Sequence, residues 1–174
     1  MKQLSLFTST TAPRYSSKFI SSYRVTLVRD RPLPFEPCPI NNSQEAQSIV
    51  RTLIETQGQS DREQFVVIML NAKNEIIGVN IVSTGTISSA QVYPREVIKP
   101  AIIANAVALI LAHNHPSGHT SPSSEDAAIT RLIIRASKIM SITVHEHLIV
   151  SMFDDSYYSF ADQGIIKSMY DKVD

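Results

Sequence analysis

The sequence predicts an α/β domain in which helices flank a mixed, partly antiparallel β-sheet. Three observations favour this class: β-rich runs alternate with helical patterns, two of the runs are joined by a short turn-like segment, and one run is continuously apolar. Alternating strands and helices indicate parallel neighbours, whereas a short connection indicates a hairpin. A chain of 174 residues with 43% hydrophobic residues is long enough for one domain with a real core.

The chain begins with a segment that we predict to be a flexible basic arm and Pro-rich linker, residues 1–40, ahead of a domain at 41–174. Residues 1–35 hold six basic residues and one acidic residue, and the remainder holds ten basic and fifteen acidic residues. The proline-rich RPLPFEPCPI is typical of an extended connector, and YRVTLV before it can form a short strand. The arm is either a solvated tail or a segment that contacts nucleic acid phosphates.

The predicted domain opens with a helix and a hairpin. Asn42, followed three residues later by Glu45, indicates a capped helix start, and the helix is expected to end near Gly58. QFVVIML and IIGVNIV, joined by NAKNE, indicate an antiparallel pair, and AQVY indicates a further short strand. The buried helix face comprises Ala46, Ile49, Val50, Leu53 and Ile54.

Helices and strands then alternate to the end of the chain. Pro94 opens a predicted helix that continues to about Ala106, and VALILAH is the apolar run expected of a strand covered on both faces. A helix from Ser123 to Met140 and the strands ITVHEHLIV and SYYSF follow. The tail from Ala161 is predicted to be a last helix.

The composition and the apolar segments of the chain indicate its cellular compartment. The single cysteine, Cys38, excludes an intrachain disulfide, which suits a reducing compartment. The opening MKQLSLFTST lacks the apolar core of a signal peptide, and PAIIANAVALILA is too short to span a bilayer. We therefore expect a soluble, cytoplasmic protein without a membrane partner.

The stretch LAHNHPSGHTSPSSED predicts a metal site at the end of the apolar strand. His113 and His115 alternate along an extended chain, so both imidazoles point the same way, and the Pro- and Gly-containing loop can return Asp126 to them. Two imidazoles and a carboxylate are the ligands of a catalytic zinc site, although iron, manganese and cobalt accept the same donors. Asp126 also forms a helix-capping box with Ser123, and both roles can coexist.

The spacing His-x-His, seven residues, Ser, two residues, Asp resembles the signature of the JAMM (MPN/JAB) metalloprotease family. HNHPSG, with STGT and VYPREV upstream and HLIV and SF downstream, is similar to the RadC branch of that family, over roughly Ser60 to Ile166. The resemblance implies a JAMM-type three-layer domain and a peptidase or isopeptidase that binds one Zn²⁺ per chain through His113, His115 and Asp126. It also implies a link to DNA repair.

The resemblance implies roles for two further residues. Glu63, in DREQF, matches the distant glutamate that acts as general base on water, and Ser123 matches the residue that stabilises the developing oxyanion. The sequence alone does not distinguish Glu63 from the rival carboxylates Glu45, Glu55, Glu75 and Glu96.

The chain departs from the RadC pattern at two places. Glu146 and His147 stand where Asp-His is typical, and His145 shares a strand face with His147, which permits a second metal site, although a core or rim role is the expectation. His119 is expected to be exposed to solvent. The first 40 residues are too short and proline-rich for the DNA-binding helix-hairpin-helix segment that RadC-like proteins commonly carry, so direct DNA binding is expected to be weak or absent.

QLSLF at the start of the chain resembles the peptide by which bacterial proteins dock into the DNA polymerase sliding clamp. Leu4, Leu6 and Phe7 would be apolar anchors, and Gln3 would make amide hydrogen bonds. The alternative is an edge strand or a segment packed on the chain's own body.

Three function classes follow from these features. The first hypothesis is a metal-dependent hydrolase that acts on a protein or peptide. A non-catalytic DNA-repair or replication accessory, recruited through the clamp-binding peptide, is the alternative. A nuclease ranks last, because two-metal phosphodiester chemistry requires more carboxylates than the motif offers.

Overall fold

The structure is a computed structural model that describes residues 22, 24–28, 30–33, 35, 39–85 and 92–172. Its elements in chain order are α1 (Ser43–Gln57), β1 (Gln64–Leu70), β2 (Ile76–Thr84), α2 (Pro94–Ile103), β3 (Ala108–His115), α3 (Ser124–Ile139), β4 (Thr143–Ser151), β5 (Tyr157–Ser159) and α4 (Ile165–Tyr170). Helices and strands alternate as predicted, and the α/β class is confirmed.

The five strands form one mixed sheet in the order β2-β1-β3-β4-β5. β1 and β2 form the predicted antiparallel hairpin, and β1 also pairs antiparallel with β3. The only parallel pair in the described sheet is β3 with β4, which α3 connects by a crossover. The carboxyl ends of β3 and β4 therefore meet at one edge of the sheet, beside the start of β1.

Helices cover both faces of the sheet and create three layers. β1 shows the alternation: Val66 and Ile68 face the core that α1 covers, whereas Val67 and Met69 face the core that α2, α3 and α4 cover. β3 is buried along nearly its whole length, as expected of a strand with helices on both sides. His113 lies in this buried strand.

Local sequence signals explain the ends of the helices. The Asn42 side chain accepts a hydrogen bond from the Glu45 backbone at 2.9 Å, and α1 ends at Gly58 as predicted. Pro94 is the first residue of α2, where its missing N–H has no helical partner to lose. The capping box of α3 is also present, with Ser123 as N-cap.

Three predictions of elements require correction. α2 ends at Ile103 rather than near Ala106, because Asn105 adopts a left-handed backbone with φ of 54°. YRVTLV forms no strand over its described residues 24–28, where Val25 and Val28 project into solvent. Half of AQVY, residues 90 and 91, lies outside the described residues, and Tyr93 is the N-cap of α2 rather than part of a strand.

No helix within the described ranges is long and apolar enough to cross a bilayer. The predicted clamp-binding peptide, Gln3 to Phe7, and Cys38 lie outside the described residues.

Candidate metal centre

Three side chains converge where β3 ends and α3 begins. Nε2 of His113 lies 3.1 Å from Nε2 of His115 and 3.1 Å from Oδ1 of Asp126. Nε2 of His115 lies 3.9 Å from Oδ2 of Asp126. Within the part of the chain that the structure describes, these residues form the one group of three or more ligand-type side chains whose donor atoms lie within 4.8 Å of one another.

The donor set fits a divalent metal ion. Zinc binds imidazole nitrogen and carboxylate oxygen at about 2.0–2.1 Å, so neighbouring donors in a tetrahedron lie about 3.3 Å apart. Two of the three donor separations, each 3.1 Å, are close to that value. An N,N,O set also accommodates other divalent metals, so these residues can hold a metal ion whose identity the geometry leaves open.

The loop after β3 fixes the orientation of His115. Nδ1 of His115 lies 2.6 Å from the backbone carbonyl oxygen of His119. A carbonyl only accepts, so Nδ1 carries a hydrogen, and in the neutral imidazole the lone pair lies on Nε2, the atom that faces the other two ligands. The side chain of His119 is exposed, as expected, and its backbone makes this contact.

Ser123 holds Asp126 through the capping box. The Ser123 backbone N–H and hydroxyl both donate to Oδ2 of Asp126, at 2.7 and 2.6 Å. Burial alone would raise the pKa of Asp126, but the hydrogen bonds from Ser123 favour the carboxylate and act to lower the pKa. Asp126 is therefore both a capping residue and an anionic member of the cluster.

A second buried histidine lies behind His113. Nδ1 of His113 is 2.9 Å from Nε2 of His147, which is fully buried. Burial holds the pKa of the His147 imidazole well below its ordinary value, and the nearby His113 acts in the same direction. The Phe65 ring stacks on His113 with centroids 6.0 Å apart, and Phe160 lies 5.0 Å from His147.

Glu63 lies at the same edge of the sheet as the cluster. Phe65 pairs with His113, so the backbone two residues earlier runs alongside the end of β3. Asn114, fully buried between the two histidines of the motif, accepts from the Gln64 backbone at 2.9 Å and donates to the Arg62 carbonyl at 2.9 Å. One amide thus anchors both neighbours of Glu63 to the strand that carries His113 and His115.

The rival carboxylates make contacts elsewhere on the molecule. Glu45 accepts hydrogen bonds at the start of α1, and Glu55 pairs with Arg51 at 3.3 Å. Glu75 accepts from Asn71 in the hairpin turn, and Glu96 pairs with its neighbour Arg95. None of these four residues belongs to the metal-type cluster found among the described side chains.

A bulge in β4 separates His145 from His147. The pairing with β3 skips a residue between Val144 and Glu146, so His145 is exposed while Glu146 and His147 are buried. No described residues form a second metal group there. The core role expected for His147 is confirmed, whereas the shared strand face is wrong because the bulge changes the alternation.

Glu146, which stands where the RadC pattern typically has aspartate, makes its contacts away from the metal-type cluster. Glu146 accepts from the hydroxyls of Ser43 and Ser159, at 2.8 and 2.5 Å, and from the Ala161 backbone at 2.9 Å. These bonds tie the start of α1 to the turn after β5. The substitution therefore affects how elements are joined and leaves the ligand atoms untouched.

Sequence reasoning missed Asn114, His147 and Thr130 as parts of the site. Asn114 was visible as the middle residue of HNH, and His147 as a histidine entering an apolar run. Thr130, whose hydroxyl lies 2.5 Å from Nδ1 of His147, gave no signal within the apolar pattern of α3.

Comparison with known proteins adds a family context. A family model described as "RadC-like JAB domain" matches residues 40–165, which includes α1 and begins earlier than the Ser60 start inferred from the motifs. A UPF0758 protein of Rubrobacter xylanophilus is 48% identical over 106 residues, covering 61% of this chain and 45% of that protein. UPF0758 protein YfjY of Escherichia coli is 45% identical over 106 residues, covering 61% of this chain and 65% of that protein.

A UPF0758 protein of Symbiobacterium thermophilum is 50% identical over 104 residues, covering 60% of this chain and 44% of that protein. For the relatives from Rubrobacter and Symbiobacterium, the chain spans less than half of the curated protein. The family match includes the strand, loop and helix that carry the cluster, since it runs from residue 40 to residue 165.

Proposed function

Because the chain belongs to the RadC-like JAB domain family, we propose that it is a zinc-dependent hydrolase of the peptidase or isopeptidase type. The observation that carries the proposal is the convergence of His113, His115 and Asp126 at the edge of the sheet where Glu63 is anchored. A divalent ion held there supplies a Lewis acid that polarises a carbonyl and makes water more acidic. DNA repair is the proposed context, from the resemblance to RadC proteins.

The proposed role of Glu63 is to move a proton. Its carboxylate would accept a proton from the attacking water and later return it to the leaving amine, which is the double role of a general acid–base residue. The Asn114 amide supports this role by fixing the backbone on both sides of Glu63 relative to the ligands.

The proposed role of Ser123 is to stabilise negative charge on the carbonyl oxygen. Its hydroxyl donates to Oδ2 of Asp126 in this structure, and its backbone N–H donates to the same oxygen. The hydroxyl could turn towards an oxyanion without releasing Asp126, because the backbone bond would remain. Ser123 is exposed, so a substrate can approach it.

Replacing Glu63 by glutamine tests the proposed chemistry. Glu63→Gln should retain the metal but lose hydrolysis by at least about 100-fold, because the amide cannot accept the proton. Glu96→Gln, which alters a surface pair with Arg95, is the matched control. Proteomic comparison of cells that carry each variant should show substrates that stay uncleaved only with Glu63→Gln; identical protein profiles for both variants would reject a hydrolase that depends on Glu63.

A second candidate rests on the sequence QLSLF alone. In that proposal the chain is an accessory in DNA repair or replication, brought to the sliding clamp by Gln3, Leu4, Leu6 and Phe7. Binding of a peptide of residues 1–12 to purified clamp tests it. Absence of binding, or equal binding after Leu6→Ala with Phe7→Ala, would remove the candidate.

A further inference from the structure

A buried chain of hydrogen bonds connects two members of the metal-type cluster from behind. It runs from Nδ1 of His113 to Nε2 of His147 at 2.9 Å, and from Nδ1 of His147 to the Thr130 hydroxyl at 2.5 Å. The Thr130 hydroxyl in turn lies 2.5 Å from the backbone carbonyl oxygen of Asp126. His113, His147 and Thr130 are all essentially inaccessible to solvent.

The carbonyl at the end of the chain sets the direction of every bond in it. The Asp126 carbonyl can only accept, so the Thr130 hydroxyl donates to it and has only lone pairs left for His147. His147 must then donate from Nδ1, which leaves Nε2 without a hydrogen. Nε2 of His147 therefore accepts from Nδ1–H of His113.

The same sequence of bonds determines which nitrogen of His113 is free to bind a cation. With the hydrogen on Nδ1, the neutral imidazole of His113 carries its lone pair on Nε2, the atom 3.1 Å from both His115 and Asp126. We propose that His147 and Thr130 are positioning residues, which hold His113 in the tautomer that binds a divalent cation through Nε2. The inference rests on metal binding at the proposed active site.

Thr130 makes an unusual use of a common helix contact. A threonine inside a helix often bonds to the carbonyl four residues earlier, and that contact alone would have no effect on the site. Here the same hydroxyl also accepts from His147, so the backbone of one ligand, Asp126, fixes the proton of another, His113. Outer partners of ligating histidines commonly change metal affinity about 10–100-fold when they are removed.

Thr130→Val and Thr130→Ser separate this role from packing. Valine fills the same volume but cannot accept from His147, and serine keeps the hydroxyl. Competition with a chelator should show that Thr130→Val weakens Zn²⁺ affinity about 10-fold while the stoichiometry stays unchanged, and that Thr130→Ser restores most of the loss. The matched control is His145→Ala, at an exposed position of β4, the strand that also carries His147. This variant should bind Zn²⁺ as the wild type does.

The tautomer itself can be read by long-range ¹H–¹⁵N NMR of the imidazole rings. Wild-type protein, with or without Zn²⁺, should show His147 protonated at Nδ1 and bare at Nε2, and Thr130→Val should lose this preference. Hydrogen on Nε2 of His147 in the wild type would overturn the inference even if Thr130→Val did not fold. Wild-type affinity in a folded Thr130→Val variant would overturn it as well.

The failure of this inference differs from the failure of the proposed function. A wild-type protein that binds no Zn²⁺ would contradict the proposed function, while the His147 tautomer in the metal-free protein would still decide whether the positioning chain exists. Zn²⁺ binding with an unaffected Thr130→Val variant would contradict the positioning role alone.

Discussion

At the level of single residues, backbone carbonyls orient both histidines of the cluster. The carbonyl of His119 accepts from His115 directly, and the carbonyl of Asp126 acts on His113 through Thr130 and His147. A carbonyl has only acceptor capacity, so each contact assigns a hydrogen without ambiguity. The loop between β3 and α3 is consequently part of the site, although the ligands lie on the strand and the helix that it connects.

Gly118 provides a test of that loop. Its φ of 80° favours glycine, and a Cβ at this position would lie 2.7 Å from Cδ2 of Phe153. Gly118→Ala should therefore displace the loop that holds the His119 carbonyl and weaken Zn²⁺ affinity about 10-fold by calorimetric titration. Loss of the hydrogen bond to His115, rather than loss of a ligand, is the physical reason.

Gly164→Ala is the control for Gly118→Ala. Gly164 has a similar φ of 71° but has no atom within 4 Å of the added Cβ. Gly164→Ala should lower the free energy of unfolding by about 1–2 kcal/mol through backbone strain and leave the Zn²⁺ affinity unchanged. Equal effects of the two substitutions on affinity would show that the loop contact is irrelevant to the site.

The ligand residues were accessible from the sequence, whereas their supports were not. The two-residue period of a strand places His113 and His115 on one side, and the capping pattern places Asp126 on the first turn of α3. Asn114 and Thr130 act through contacts between segments far apart in the chain, 50 or more residues for Asn114. No local period encodes such contacts, because they depend on how β1, β3 and α3 pack.

Individual elements show where local patterns fail, and β4 is the clearest case. His145 has no pairing partner in β3, because the register skips from Val144 to Glu146. His145 therefore points outwards, and Glu146 lies on the face that α1 covers. The Val144 backbone N–H, next to the bulge, donates to the Tyr170 hydroxyl of α4 at 2.7 Å. A segment such as ITVHEHLIV predicts a strand but carries no signal for a bulge within it.

Tyr170→Phe tests whether α4 stabilises this bulge. The substitution leaves the Val144 N–H without its partner and should lower the free energy of unfolding by about 1–3 kcal/mol in urea denaturation near neutral pH. Burial raises the pKa of the Tyr170 hydroxyl, and this effect outweighs the hydrogen bond from the Val144 backbone, which lowers the pKa. The unfolded chain therefore ionises first, and the stability that this residue contributes is lost as the pH rises above about 10.

The variant should be less sensitive to alkali than the wild type, because phenylalanine has no proton to lose. Denaturation curves at pH 8 and pH 10.5 for both proteins give this comparison. If their stabilities differed by the same amount at both pH values, Tyr170 would not be the group that titrates. If Tyr170→Phe were as stable as the wild type at pH 8, the bulge would not depend on the bond.

Most elements and the α/β class followed from sequence because their signals are local. Capping residues marked the start of α1 and of α3, Pro94 marked the start of α2, and short turn-like NAKNE marked the hairpin. The end of α2 was predicted too late because the left-handed Asn105 interrupts an otherwise apolar pattern. YRVTLV has strand-like residues, but its described part pairs with no strand of the sheet.

The site depends on the whole molecule, because its parts come from opposite ends of the domain's sequence. The antiparallel pairing of β1 with β3 brings Glu63 to the end of the strand that carries the histidines. The crossover through α3 delivers Asp126, and the parallel pairing of β4 places His147 behind His113. Sheet topology of this kind cannot be read from any one segment; the resemblance to the JAMM family implied a three-layer domain with a mixed sheet but not the order of its strands.

The metal content of purified protein tests the central claim most directly, since every role assigned to these residues requires one cation held by His113, His115 and Asp126. Elemental analysis after dialysis should find about one zinc per chain in the wild type and in His119→Ala, which removes only an exposed side chain of the same loop. His113→Ala and His115→Ala should each lose the metal. Zinc that remained in both of these variants, or a wild type that bound none, would contradict the claim.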